Sequence, residues 1–282
     1  MSIHSTRALL EAALADNFDD LDRHAAYADL LLEEGDPRGE YIRLCLALEE
    51  TNHSATRLQE LRQQSANMYQ QYEREWLGSL AKYLLDIPPA VDTRQTGASH
   101  APHLLDTLET IDLLALELLN MPAPIPLNVK FTFSRGWVTT LDIEELTDVL
   151  LLALANAPET CLLQVLTIRD TQRLTPRLTL EALPRMPGIG SLKSFTLGSF
   201  GVRGDRRPAG ELVLDWVSAM PNLRHLEIWS DNYFSPEIFS LRFEHLRSLL
   251  VQPCSTLPLE RLTENQSLCH LERLHLGQDY FW

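Results

Sequence analysis

A triplet of apolar residues with the spacing apolar-x-x-apolar-x-apolar recurs six times in the second half of the chain. The copies are Val138/Leu141/Ile143, Leu163/Leu166/Ile168, Leu192/Phe195/Leu197, Leu223/Leu226/Ile228, Leu246/Leu249/Val251 and Leu271/Leu274/Leu276. Their middle members, at 141, 166, 195, 226, 249 and 274, are separated by 25, 29, 31, 23 and 25 residues. The last two apolar positions of each copy lie two residues apart, which puts both on one face of a strand. One short strand cannot bury such a face alone, but a stack of them at a steady period can. The repeat therefore predicts short parallel strands, one per period, joined by return elements. Residues 144–155 and 211–219 read as helical returns, and Met186-Pro187-Gly188 and Met220-Pro221-Asn222 as turns. The Gly/Arg/Pro-rich stretch 201–210 accounts for the longest interval.

This period and spacing resemble those of leucine-rich repeats. The resemblance implies an α/β architecture in which 131–282 form a short solenoid with a parallel sheet. Leucine-rich repeats usually carry Asn or Cys three residues beyond the last strand apolar, to bond turn carbonyls. Here those positions hold Leu146, Thr171, Phe200, Asp231, Cys254 and Asp279, so an asparagine ladder is expected to be weak or absent and the turns irregular.

Residues 1–86 read as an all-helical domain. A first helix is expected over 5–16, with Ser5 or Thr6 as N-cap and Leu9, Leu10, Ala13 and Leu14 on one face. A second runs over 21–34 with Leu21, Ala25, Ala28 and Leu32 inward, stopped by Gly35. Asp36-Pro37 then signals a third start, with Tyr41, Ile42, Leu44, Cys45 and Leu48 inward. Residues 55–85 carry Leu58, Leu61, Met68, Tyr72, Trp76 and Leu80 at helical spacing, as one long helix or two pieces.

At 27–48 the sequence YADLLLEEGDPRGEYIRLCLAL resembles the bacterial repeat-companion domain, a short helical module found before leucine-rich or other repeats. Tyr27, Ala28, Asp29, Gly35, Asp36, Pro37, Gly39, Glu40, Ile42 and Arg43 carry the match. Leu30 stands where the family usually has tryptophan and Leu32 where it has glutamate, making this face more apolar. Glu75-Trp76-Leu77-Gly78 and Phe133-Ser134-Arg135-Gly136-Trp137-Val138 are similar to segments that follow the module. The resemblance implies domain organisation and no particular chemistry. The acids Asp29, Glu33, Glu34, Asp36 and Glu40 flank a helix–helix corner, where capping and the helix dipole explain them without acid/base catalysis.

Residues 87–130 read as a connector. Pro88, Pro89, Pro102, Pro122, Pro124 and Pro126 interrupt regular structure around a polar loop at 92–101 and an amphipathic helix at 103–119. That helix either caps the solenoid or docks a partner.

The net charge of −15, with no evident Lys/Arg cluster clear of nearby acids, argues against nucleic acid and anionic membranes as partners. No apolar run is long enough to span a bilayer, and the N-terminal residues lack a signal-peptide core. Four cysteines without CxxC spacing suit a reducing cytoplasm. There is no GxSxG motif and no Gly-rich phosphate loop, so neither an enzyme nor a cofactor is expected. A metal site from Cys254, Cys269, His270 and His275 lacks recurrent zinc spacing.

In a parallel ladder, the residues between the inward leucines point to an open, concave face. Trp229 and Leu250 form the expected apolar centre of a partner-binding patch, flanked by Arg169, Glu227, Arg273 and His275. The expectation is a non-catalytic adaptor that binds another protein there. The alternative is a regulatory or substrate-recruiting subunit of a bacterial defence or signalling enzyme complex.

Overall fold

The computed structural model describes residues 3–86, 128–171, 174, 181–198, 210–229, 236–252 and 259–277. The expected helix at 103–119, Cys254 and the terminal Tyr280-Phe281-Trp282 lie outside these residues.

The N-terminal part is helical: α1 (Ile3–Asp16), α2 (Leu21–Glu33), α3 (Arg38–Glu49), α4 (Ala55–Leu77) and a short α5 (Ala81–Leu84). Asp20 starts α2 by accepting the Arg23 N–H at 3.1 Å, and Ser54 starts α4 by accepting the Arg57 N–H at 3.2 Å. Asp36 accepts the Arg38 N–H at 2.8 Å, so the corner begins α3 as expected, one residue later. Gly35 follows α2 with φ +76°. The segment from Ala55 is one helix to Leu77, broken at Gly78 before α5.

Two expectations are corrected. Ser5 and Thr6 do not cap α1, which already runs from Ile3. The buried face of α2 is His24, Tyr27, Ala28 and Leu31, whereas Leu21 is 45% exposed. Counting aliphatic residues alone set the wrong phase. The imidazole Nε2 of His24 meets the Phe18 carbonyl at 2.8 Å, while its Nδ1 is buried without a partner, and the Tyr27 hydroxyl donates to Glu11 at 2.8 Å.

Among the described residues, the C-terminal part is one sheet of seven strands whose order follows the chain: β1 (Val129–Ser134), β2 (Trp137–Ile143), β3 (Val165–Ile168), β4 (Ser194–Leu197), β5 (His225–Trp229), β6 (Ser248–Gln252) and β7 (Arg273–Leu276). β1 and β2 form an antiparallel hairpin; every later neighbour is parallel. The register brings Leu141, Leu166, Phe195, Leu226, Leu249 and Leu274 into one row across the sheet. Ile143, Ile168, Leu197, Ile228, Val251 and Leu276 make a second row. Each fully buried member contributes about 1.5–3 kcal/mol of burial, while Leu274 on the last strand is partly open. β1 straddles the expected boundary at 130/131, because alternating Val129, Phe131 and Phe133 pair with β2 despite the prolines that precede them.

The return elements pack on the leucine side. They include α6 (Asp148–Ala155), α7 (Gly210–Ser218), α8 (Leu259–Glu264) and several 3-10 turns. Leu150 to Ala155 are all buried, so α6 is enclosed on every side. Side chains also tie successive periods together. Ser191 Oγ donates to the Leu163 carbonyl at 2.8 Å, Asn222 Nδ2 to Gly190 at 2.7 Å, and Asn265 Nδ2 to Phe239 and Leu241 at 2.7 and 2.8 Å. Ser191 and Asn222 precede the first apolar residue of their triplets, whereas the expected ladder position follows the last. At that expected position Leu146 is buried, and its backbone N–H bonds the Asp170 carbonyl at 2.8 Å.

The two parts share apolar contacts. Leu77, Leu80, Tyr83 and Leu84 join the core of the sheet, and Trp137 and Leu162 join the core of α1–α3. Trp76 stacks on Phe133 with ring centroids 5.8 Å apart.

Candidate partner-binding surface

Alternating burial along β3 to β6 divides the sheet into two faces. On β3 and β4 the inward residues are buried and their neighbours Val165, Thr167, Ser194 and Thr196 are half-buried. β5 and β6 repeat the pattern, with His225, Glu227, Trp229, Ser248, Leu250 and Gln252 facing outward. Alternation and parallel register together align these outward side chains in rows, with strands about 4.8 Å apart.

The six expected contact residues all lie on this outward face, but they do not form one cluster. Thr167, Thr196, Glu227, Leu250 and His275 occupy one row. Leu250 therefore stands beside Glu227 and His275, and Trp229 stands beside Gln252. Both Trp229 and Leu250 are half-buried, less open than a freely exposed pair. The indole Nε1 of Trp229 donates to Glu227, which fixes the ring against its own strand.

Arg169 is committed elsewhere. Its Nε and Nη2 donate to both carboxylate oxygens of Asp142 at 2.9 and 2.8 Å. This hydrogen bonding is the main cause that raises its already high pKa, with smaller contributions from Glu144 and Glu227. The fork–fork pair fixes the guanidinium on the β2 side of the sheet. Gly198 aligns with Trp229 and carries φ +85°; a Cβ there would lie 2.4 Å from the Trp229 carbonyl oxygen. The absence of a side chain at this point lets the β5 backbone close against β4.

Two of the described cysteines, Cys45 and Cys161, offer little reactivity. Burial is the main cause that pushes the Cys161 thiol up to about 12, and burial raises Cys45 as well. A thiol so shifted holds little thiolate near neutrality. Cys269 is exposed. Among the described residues, no group of three or more His, Cys, Asp and Glu is placed to hold a metal ion, and no helix is long and apolar enough to cross a membrane.

Two features escape a linear reading of the sequence. One is the Arg169–Asp142 pair, whose members stand 27 positions apart. The other is a cationic row made by the residue after the first apolar of successive triplets, Lys193, Arg224 and Arg247. Taking that position from every triplet would have revealed it.

The chain matches no protein-family model, no curated protein and no solved structure.

Proposed function

We propose that the chain is a non-catalytic adaptor whose outward sheet face binds another protein. The observation that carries this reading is the aligned outward face itself. Trp229 and Leu250 lie on a face that also carries Arg169, Glu227, Arg273 and His275, opposite a leucine side that is packed except at the last strand. Aromatic and arginine side chains on a rigid sheet suit a binding hot spot.

Sequential strand order with one strand per 23–31 residues supports reading this part as a leucine-rich-repeat-type solenoid. The helices preceding it suit a repeat-companion module that covers the first coil. The acidic composition and sparse cysteines suit a cytoplasmic setting.

The test is affinity capture from lysate by the full chain, compared with Trp229→Ala and Leu250→Asp variants of unchanged thermal stability. A specific protein retained by the wild type and lost from both variants supports the reading. Equal retention by all three refutes the assignment of this face.

A further inference from the structure

We infer that the N-terminal ends of β4–β7 form a docking strip for an acidic segment of the partner protein, carried by Lys193, Arg224, Arg247 and Arg273. The inference deepens the proposed function, since it takes the outward side of the sheet to be a protein-binding surface and names the chemistry of what binds there.

The backbone sets the strip. The Arg224 N–H bonds the Lys193 carbonyl at 2.8 Å, and the Arg247 N–H bonds the Arg224 carbonyl at 2.8 Å. Equivalent positions on successive strands are therefore stacked directly, about 4.8 Å apart. On β7 the equivalent position is Glu272, whose N–H bonds the Arg247 carbonyl at 2.8 Å; Arg273, the next residue, bonds the same carbonyl at 2.9 Å and adds a fourth cation one position along. Four cations thus span about 14 Å, the length of about four residues of extended chain.

Arg224, Arg247 and Arg273 are exposed. Among the described residues Glu272 is the one acid in an ion pair with them, at 3.6 Å from Arg247, a loose and solvent-exposed contact. Lys193 is half-buried, and its ammonium donates to the Asp16 carbonyl at 3.2 Å, which anchors the strip at the helical module. His225 lies in the midst of these groups. Desolvation first, then Arg273, Arg224 and Arg247, lower its pKa, while Glu272 opposes them. Positive charge is therefore concentrated here on a chain whose net charge is −15. Small hydroxyl side chains, Ser194 and Ser248, flank His225 in the register and leave room for a ligand to approach.

Charge complementarity selects a short acidic peptide over a long polyanion, because the acidic remainder of the chain would repel nucleic acid beyond the strip. The probe is a fluorescein-labelled peptide of about eight residues alternating Glu and Ser, its span set by the strip. The controls are its Gln counterpart and an oligothymidylate of equal charge. Fluorescence anisotropy with the full chain at low salt is expected to show the Glu peptide binding at least about tenfold tighter than either control. Arg224→Ala/Arg247→Ala should weaken it about tenfold, whereas Lys130→Ala on β1 and Trp229→Ala should not. Melting curves confirm that each variant is folded. Equal binding of the Glu and Gln peptides, indifference to the arginine substitutions, or tighter binding of the oligonucleotide would overturn the inference. If capture of a partner through Trp229 persists while the acidic peptide fails to bind, the strip is wrong and the adaptor reading stands. Peptide binding without any partner dependence on Trp229 would give the converse.

Discussion

Arg135, in the turn between β1 and β2, grips Glu49 at the end of α3 through two hydrogen bonds of 2.8 and 2.7 Å. The arginine also donates to the Phe18 carbonyl at 2.9 Å and lies over the Phe18 ring. Its side chain is only 11% exposed, whereas that of Glu49 is 39% exposed, so the guanidinium is sheltered while its carboxylate partner faces solvent. Arg135 itself has φ 47°, a left-handed conformation that is uncommon outside glycine and is held here by these contacts. One turn residue thus joins the hairpin that opens the sheet to two elements of the helical module.

Arg135→Ala is expected to cost about 1–2 kcal/mol of stability, because it strips the Phe18 carbonyl of its donor and removes a half-exposed ion pair with Glu49. Glu49→Gln should cost less. A double-mutant cycle by chemical denaturation should give a coupling of about 0.5–1 kcal/mol. Additive losses would mean that the two parts do not depend on this pair.

His24 makes stability sensitive to acid. It is fully buried, and burial is the main cause that lowers its pKa from the ordinary 6.5, with Arg135 acting in the same direction. The unfolded chain therefore takes up a proton at a higher pH than the folded one. Stability is complete above about pH 6.5 and falls as the pH drops below that value. Thermal midpoints measured between neutral pH and mild acid should decline for the wild type and decline less for His24→Gln. Equal declines would assign the acid sensitivity to other groups.

Gly198→Ala is expected to destabilise the sheet by more than about 1 kcal/mol, since the residue combines a positive φ with a close backbone approach. The new methyl group would push against the Trp229 backbone, so indole fluorescence should shift as well. Thr196→Ala, two residues earlier on the outward face, should change stability by less than about 0.5 kcal/mol. Similar losses from both would contradict the register described for β4 and β5.

The periodic leucines made the strands legible, because burial on one side of a sheet forces a two-residue alternation that survives irregular spacing. Helix positions were legible from Asp36-Pro37 and Gly35, but helix faces were less so. His24 and Tyr27 turn inward where Phe18 and Glu11 give the imidazole Nε2 and the Tyr27 hydroxyl partners, and hydropathy alone cannot anticipate that. β1 was hidden for a different reason. Its residues form a strand only by pairing with β2, and the prolines upstream pulled the expected boundary past its first two residues. For the surface, the parity of Glu227, Trp229 and Leu250 could be read directly. Which of them meet could not, since lateral neighbours are set by register between strands 23 to 31 residues apart. For the same reason Arg169 was expected beside Trp229, whereas its carboxylate partner Asp142 lies on the strand before it.

The most direct measurement is site-specific photo-crosslinking in cells, with the reactive side chain placed at Leu250 on the outward face or at Glu260 on the opposite, α8 side. The expected result is a discrete protein adduct from position 250, abolished by Trp229→Ala and absent from position 260. Adducts from 260 alone, or adducts from 250 that persist after Trp229→Ala, would contradict the assignment of the outward face as the binding surface.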